Sequence, residues 1–262
     1  MPDLTRVLQR KVPEVTILFW IIKLLSTALG ESTSDYLVRT FDPYLVVLAG
    51  FVGFVAVLVL QLRARRYVPW IYWLTVVMVA VFGTMAADVM HVALGVPYAA
   101  STAAFAVALA VIVALWFRVE RTLSIHTIVT TRRELFYWAT VSATFALGTA
   151  AGDLLAYAAG LGFLVAGIVF IVIFAIPALG YRIFKLNAVF AFWFAYILTR
   201  PIGASFADWT GKSPSSGGLG WGDGPVAAVL AIMIIGLVGY LTVRPPEVDS
   251  DVAAARRVRV PD

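Results

Sequence analysis

Phe192-Trp193-Phe194-Ala195-Tyr196-Ile197-Leu198-Thr199-Arg200-Pro201-Ile202-Gly203-Ala204-Ser205-Phe206-Ala207-Asp208 is one of four copies of a single pattern. Its skeleton is an aromatic residue, Trp, nine residues, Gly, four residues and Asp. The other copies place Trp20, Gly30 and Asp35; Trp73, Gly83 and Asp88; and Trp138, Gly148 and Asp153 at the same intervals. Phe or Tyr precedes every Trp, and the spacing never slips. Self-similarity at fixed spacing identifies an internal repeat before any other feature is considered.

From Trp to Asp is fifteen residues, about 22 Å of helix at ~1.5 Å per residue. Read as a helix in a bilayer, this places Trp at the headgroup level near one interface and the carboxylate toward the other. The Gly lies about 140° around the helix from the Asp, so it faces a neighbouring helix and permits close approach. Intramembrane carboxylates are costly and face a cavity or a partner. Four at one register point to a shared polar site.

The 262 residues are 61% hydrophobic and only 13% charged, about half the charged fraction of a soluble domain. With mean hydropathy +0.92, this is the composition of an integral membrane protein. Cysteine is absent, which excludes disulfides and thiolate metal sites. No phosphate-binding loop, His-Glu-x-x-His motif or nucleophile constellation is present, so the chain carries no ATP motor of its own.

Hydrophobic runs at 13–36, 44–62, 69–94, 99–117, 135–157, 161–181, 188–208 and 225–243 each approach the ~20 residues needed to span. They predict an all-α integral membrane protein of eight transmembrane helices. Each repeat supplies a motif helix followed by a plainer, lipid-facing one. The single membrane domain is 1–244, with repeats at about 13–66, 67–118, 135–182 and 187–244. The stretch 119–134 is a cytoplasmic linker and 245–262 a disordered cytoplasmic tail. The N-terminal apolar run is retained rather than cleaved, because cleavage after Ala28 would split the first motif.

Sixteen basic residues fall on one side of this topology: Arg6, Arg10, Lys11, Arg63, Arg65, Arg66, Arg118, Arg121, Arg132, Arg133, Arg182, Lys185, Arg244, Arg256, Arg257 and Arg259. Only Arg39 and Lys212 fall on the other. The positive-inside rule then makes both termini cytoplasmic, and the net charge of +5 needs no nucleic acid to explain it. An even number of spans per repeat makes the repeats parallel, turned about an axis along the membrane normal. The copies differ in the order A-B-B-A. The outer two carry Ser32 and Ser205 after their Gly, together with the intramembrane cations. The middle two carry Thr75 and Thr140 after their Trp, with Thr84 and Thr149 next to their Gly.

These positions define the candidate site. Asp35, Asp88, Asp153 and Asp208 form the expected metal-binding ring, with Glu31 one turn deeper and Thr84 and Thr149 at its level. Hard oxygen ligands suit Mg²⁺, Ca²⁺ or Mn²⁺; His91, three residues after Asp88, would add an imidazole and favour Mn²⁺. Lys23, Thr27, Glu31 and Asp35 share one helix face. Lys23 and Arg200 are the gating or charge-coupling candidates, and Pro201 is a candidate hinge. His126 in the linker has no assigned role. The Gly- and Ser-rich loop Trp209–Gly224 reads as a flexible external linker. The competing structural reading is that the carboxylates only cap helix ends or pair with Lys23, Arg200, Arg39 and Lys212.

Lys11-Val12-Pro13-Glu14-Val15-Thr16, Leu29-Gly30-Glu31 with Asp35, Thr131-Arg132-Arg133-Glu134-Leu135-Phe136-Tyr137-Trp138 and Thr199-Arg200-Pro201-Ile202-Gly203-Ala204-Ser205 resemble a bacterial family labelled as uncharacterised membrane-anchored proteins. The resemblance covers the membrane region and implies an inner-membrane protein, but brings no reaction or catalytic residue. The repeats themselves point to a secondary transporter or gated channel for cations, a divalent-metal (Mn²⁺-like) efflux system and not an enzyme. Its partners would be the lipid bilayer and its cation, with no tightly bound cofactor; a homo-oligomer is compatible with this reading. The alternative is a structural or regulatory subunit that binds a partner protein. A weaker third is a lipid-directed enzyme using Asp88 and His91.

Overall fold

The computed structural model describes residues 10–184 and 186–243. Among these residues there are eight long helices and no strand. They are α1 (Ile17–Thr40), α2 (Pro43–Arg63), α3 (Pro69–Asp88), α4 (Tyr98–Glu120), α5 (Thr131–Asp153), α6 (Gly162–Phe184), α7 (Ala188–Gly211) and α8 (Asp223–Val243). Local chemistry fixes where they start. The side chains of Thr16, Asp42, Thr130 and Asn187 accept hydrogen bonds from the first free amides of α1, α2, α5 and α7. Each such cap is worth about 0.5–2 kcal/mol. Pro43 and Pro69 stand in the first helical turn, where a missing N–H costs nothing. The expected tail at 245–262 lies outside the described residues.

Six of the helices (α2, α3, α4, α5, α7 and α8) are long and apolar enough to cross a membrane. This is a membrane protein. α1 is set apart by Lys23, Glu31, Asp35 and Arg39, and α6 supplies the shorter apolar stretch Gly162–Ile176.

The motif helices form a closed inner ring in which α1 packs on α3, α3 on α5, α5 on α7, and α7 back on α1. The plainer helices lie outside it. Each packs chiefly on the motif helix of the following repeat: α2 on α3, α4 on α5, α6 on α7, and α8 on α1. The outer helices leave apolar side chains such as Leu48, Phe51, Val107, Ile232 and Ile235 exposed, as a lipid-facing surface requires.

Two contacts repeat around the ring and explain the motif. A Cβ placed on Gly30, Gly83, Gly148 or Gly203 would collide with Ala80, Phe145, Arg200 or Thr27 respectively, in every case the next inner helix. The missing side chain is what lets neighbouring backbones approach. At the opposite end the residue before each Trp packs on the next repeat's Trp. Phe19 meets Trp73 at 5.6 Å between ring centroids, Tyr72 meets Trp138 at 5.5 Å, Tyr137 meets Trp193 at 6.0 Å, and Phe192 meets Trp20 at 5.7 Å. Trp73 and Trp138 are therefore core residues, 1% and 2% exposed. Their expected place as headgroup anchors is corrected: the indole serves helix–helix packing.

Other expectations also change. The first span starts at Ile17, because Lys11 donates its amide to the Ile128 carbonyl and Tyr67 donates to that of Arg10, holding the preceding segment against two loops. The loop after α7 is not a loose linker. The amides of Leu219, Gly220, Trp221 and Gly222 donate to the carbonyls of Trp209, Lys212, Thr210 and Gly211, folding it back on the helix end. Helix α7 runs unbroken through Pro201.

Candidate functional site: charged groups inside the helix ring

Three repeats converge on a side chain from the fourth. Arg200 is completely buried, and its stem passes Gly148, where a Cβ would stand 2.5 Å from the Arg200 Cγ. Its Nη2 lies 2.5 Å from Glu31 Oε2, 2.5 Å from Thr84 Oγ1 and 2.6 Å from Thr149 Oγ1. Glu31, Thr84 and Thr149 are the residues that follow the repeat Gly in α1, α3 and α5; α7 has Ala204 there. One guanidinium thus ties all four inner helices together. Nη1 and Nε have no hydrogen-bond partner among the described residues. Charge-assisted bonds of this kind are among the strong ones in a protein.

Lys23 lies toward the Trp end. It is 1% exposed, and its ammonium has no hydrogen-bond partner among the described residues. Instead it sits 4.0 Å from the centre of the Phe145 ring and 4.3 Å from that of Tyr196. Desolvated cation–π contacts are worth about 2 kcal/mol or more, which offsets part of the cost of burying the charge. Nearby, the Tyr72 and Tyr137 hydroxyls are 2.5 Å apart.

The four Asp residues divide into two sets. Asp35 and Asp208 group with Glu31, and Asp88 and Asp153 group with His91; within each set the potential ligand atoms lie within 4.8 Å of one another. The first set contains its own cations. Lys212 pairs with Asp35 and stands 3.4 Å from Asp208, while Arg39 lies 3.9 Å from Asp35 and 2.9 Å from Asp223. Burial holds the Lys212 ammonium below the usual lysine range, while the carboxylates of Asp223 and Glu31 pull it back up. In the second set His91 Nδ1 is 3.5 Å from Asp153 Oδ2, and Nε2 is 2.6 Å from Ser101 Oγ.

The two sets also differ in backbone. Helices α3 and α5 end in π-helical turns at Val89–Ala93 and Leu154–Ala158, each beginning immediately after the motif Asp. Helices α1 and α7 continue as α-helix past theirs. The A-B-B-A difference in sequence is thus a difference in local structure, and π turns occur frequently at functional sites. His91 lies within the first of these turns.

Sequence reasoning missed a third buried cluster, at the Trp end. Glu134 is fully buried and accepts from Lys11 Nζ at 2.5 Å and from Gln61 Nε2 at 2.8 Å. Lys11 also donates to the Leu62 carbonyl at 3.1 Å. In the sequence Lys11 precedes the first span and Glu134 closes the linker 119–134. The available signal was that two of the phrases carrying the family resemblance each contain one of them. Ser101 gave no signal, since a lone Ser early in an apolar span is unremarkable.

Four helical repeats closed into a ring around buried charge define a class of multi-helix membrane protein. The chain belongs to a family within it: the Repeat of Unknown Function (DUF347) matches four times, at residues 18–67, 71–122, 136–185 and 191–245. Each match takes in one motif helix and the outer helix after it. Neither a curated protein nor a solved structure matches the chain.

Proposed function

We propose that this protein is a gated secondary transporter for divalent cations, of the Mn²⁺-exporting kind, in a bacterial inner membrane. All eight helices would span the bilayer, with both termini cytoplasmic and the Asp residues toward the outer face, in keeping with the distribution of Arg and Lys. The observation that carries the reading is the Arg200 layer. A fixed positive charge bonded to Glu31, Thr84 and Thr149 on the three other inner helices would close a cation path at its middle. The carboxylates of Asp35, Asp88, Asp153 and Asp208 would collect the cation outside this layer. Passage then requires Arg200 to leave Glu31, and such an exchange of partners is the element an alternating mechanism needs.

Protein purified alone and reconstituted in liposomes should carry Mn²⁺, and Asp88→Asn or Asp153→Asn should lower the flux while the protein still folds. A deletion strain should show altered metal content and tolerance across a panel of metals. Unchanged content and tolerance throughout, with no flux in liposomes, would refute the reading.

A further inference from the structure

The two carboxylate sets are not equivalent, and the difference identifies a ligand. Around Glu31, Asp35 and Asp208 the protein supplies Arg200, Lys212 and Arg39. Around Asp88 and Asp153 it supplies no Lys or Arg within ion-pair distance among the described residues. The one group it offers is His91, whose side chain is only 4% exposed.

The contact with Ser101 is compatible with one tautomer of that imidazole in particular. Ser101 Oγ lies 3.0 Å from the Tyr98 carbonyl and 3.4 Å from the Pro97 carbonyl, either of which can take its single proton. With its proton on a carbonyl it accepts at 2.6 Å from His91 Nε2, which in that tautomer carries the ring proton. Nδ1, which in that tautomer is a lone pair, is buried without a hydrogen-bond partner 3.5 Å from the Asp153 carboxylate. Lone pair faces carboxylate, and the Asp88 carboxylate lies in the same group. In this tautomer three acceptors meet without a donor, and either a proton shared between His91 and Asp153 or a metal cation among the three relieves their repulsion.

We infer that Asp88, His91 Nδ1 and Asp153 form a binding site for a borderline first-row transition-metal dication such as Mn²⁺, Co²⁺ or Zn²⁺. Two ligands at about 2.1 Å from a tetrahedral ion are about 3.4 Å apart, close to the 3.5 Å between Nδ1 and Oδ2. The imidazole selects against Ca²⁺ and Mg²⁺, which take oxygen ligands. Ser101 holds the ring from behind, the arrangement that ligating histidines usually have. The π turn after Asp88 places His91 in this group, and the turn after Asp153 marks the same point of the next repeat. Three protein ligands leave coordination positions open, as a site that passes its ion onward requires. The inference rests on the transport reading for its purpose, but binding is measured apart from flux.

The test is titration of the purified full-length protein in detergent with Co²⁺, read by its visible absorption, with circular dichroism and elution profile monitoring the fold. The wild type should bind Co²⁺, Zn²⁺ and Mn²⁺ should displace it, and millimolar Ca²⁺ and Mg²⁺ should not. His91→Ala should abolish the bands, and Ser101→Ala, which leaves every ligand in place, should weaken affinity by about 10–100-fold. Absence of Co²⁺ bands in folded wild-type protein would overturn the site. So would bands that survive His91→Ala but vanish in Asp35→Asn, which would put the ion in the other set. Binding without liposome flux of any of these metals would remove the transport reading and leave the site. Flux without such binding would do the reverse.

Discussion

Replacing Arg200 with Met and Glu31 with Gln, singly and together, separates a structural pair from a gate. Arg200→Met removes the Nη2 contacts to Glu31, Thr84 and Thr149. It leaves a carboxylate that is 6% exposed, with the Thr84 hydroxyl at 3.3 Å as its nearest remaining partner. Breaking one side of a buried ion pair costs about 3–5 kcal/mol, whereas replacing both sides by uncharged groups is often neutral or stabilising by about 1–4 kcal/mol. Glu31→Gln should be destabilising for the same reason, since it strands the guanidinium. The double variant should therefore be more stable than either single one. The coupling energy should be about 3 kcal/mol or more, against the ~0.3–0.5 kcal/mol within which independent sites add. Reversible unfolding in mixed detergent micelles measures all four proteins. Flux into liposomes then gives the functional half: Arg200→Met and the double variant should both leak cations, even though only one of them is strongly destabilised. Additive losses of stability would refute the pairing. Vesicles as tight as those with wild-type protein would refute the gate.

Gly30→Ala should cost about 1–3 kcal/mol by overpacking, since its Cβ would stand 2.3 Å from the Ala80 Cβ and 2.8 Å from the Ala80 carbonyl carbon. Gly236→Ala and Gly239→Ala, where nothing lies within 4 Å, should be neutral or stabilising by up to ~1 kcal/mol in the same unfolding assay. Lys23→Met should flatten the pH dependence of transport while sparing the fold, because the side chain it removes contacts aromatic rings and no carboxylate; a wild-type pH profile in that variant would rule out proton coupling through Lys23.

What was legible in the sequence was whatever the repeat enforced four times over. Gly against the next helix, the stripe from Lys23 to Asp35 and the outward-facing second helices follow from spacing and hydropathy alone. The Trp was misread because a single helix gives an indole two ways to satisfy itself, the headgroup region or a neighbour's ring, and only the closed ring supplies the neighbour. The common depth of the Asp residues suggested one ring, but depth does not fix which side chains meet across an axis. Lys212 lies in a loop that seemed formless, yet its ammonium reaches Asp35 and Asp208 and so separates that pair from the other. The Glu134 and Lys11 pair joins residues 123 positions apart, a distance no local pattern spans.

The departures from symmetry have a physical cause of their own. Four identical repeats with Arg three residues before the Gly would put four guanidiniums at one level of a narrow bundle, where like charges in a poorly screened interior repel strongly. The chain has Thr27, Ala80, Phe145 and Arg200 at that position, so only one copy bears the charge. At the next level it has Glu31, Thr84, Thr149 and Ala204, so a single carboxylate answers it and two hydroxyls complete its contacts. Symmetry is kept where contacts are apolar, in the Gly and aromatic–Trp interfaces, because a packing solution can be repeated without penalty. It is broken at the Arg200 level, where one guanidinium fills the space between the four helices and a second at the same level would meet a like charge. The motif Asp is kept in all four copies, so what separates the two carboxylate sets is the residues that differ: Lys212 and Arg39 beside one pair, His91 beside the other.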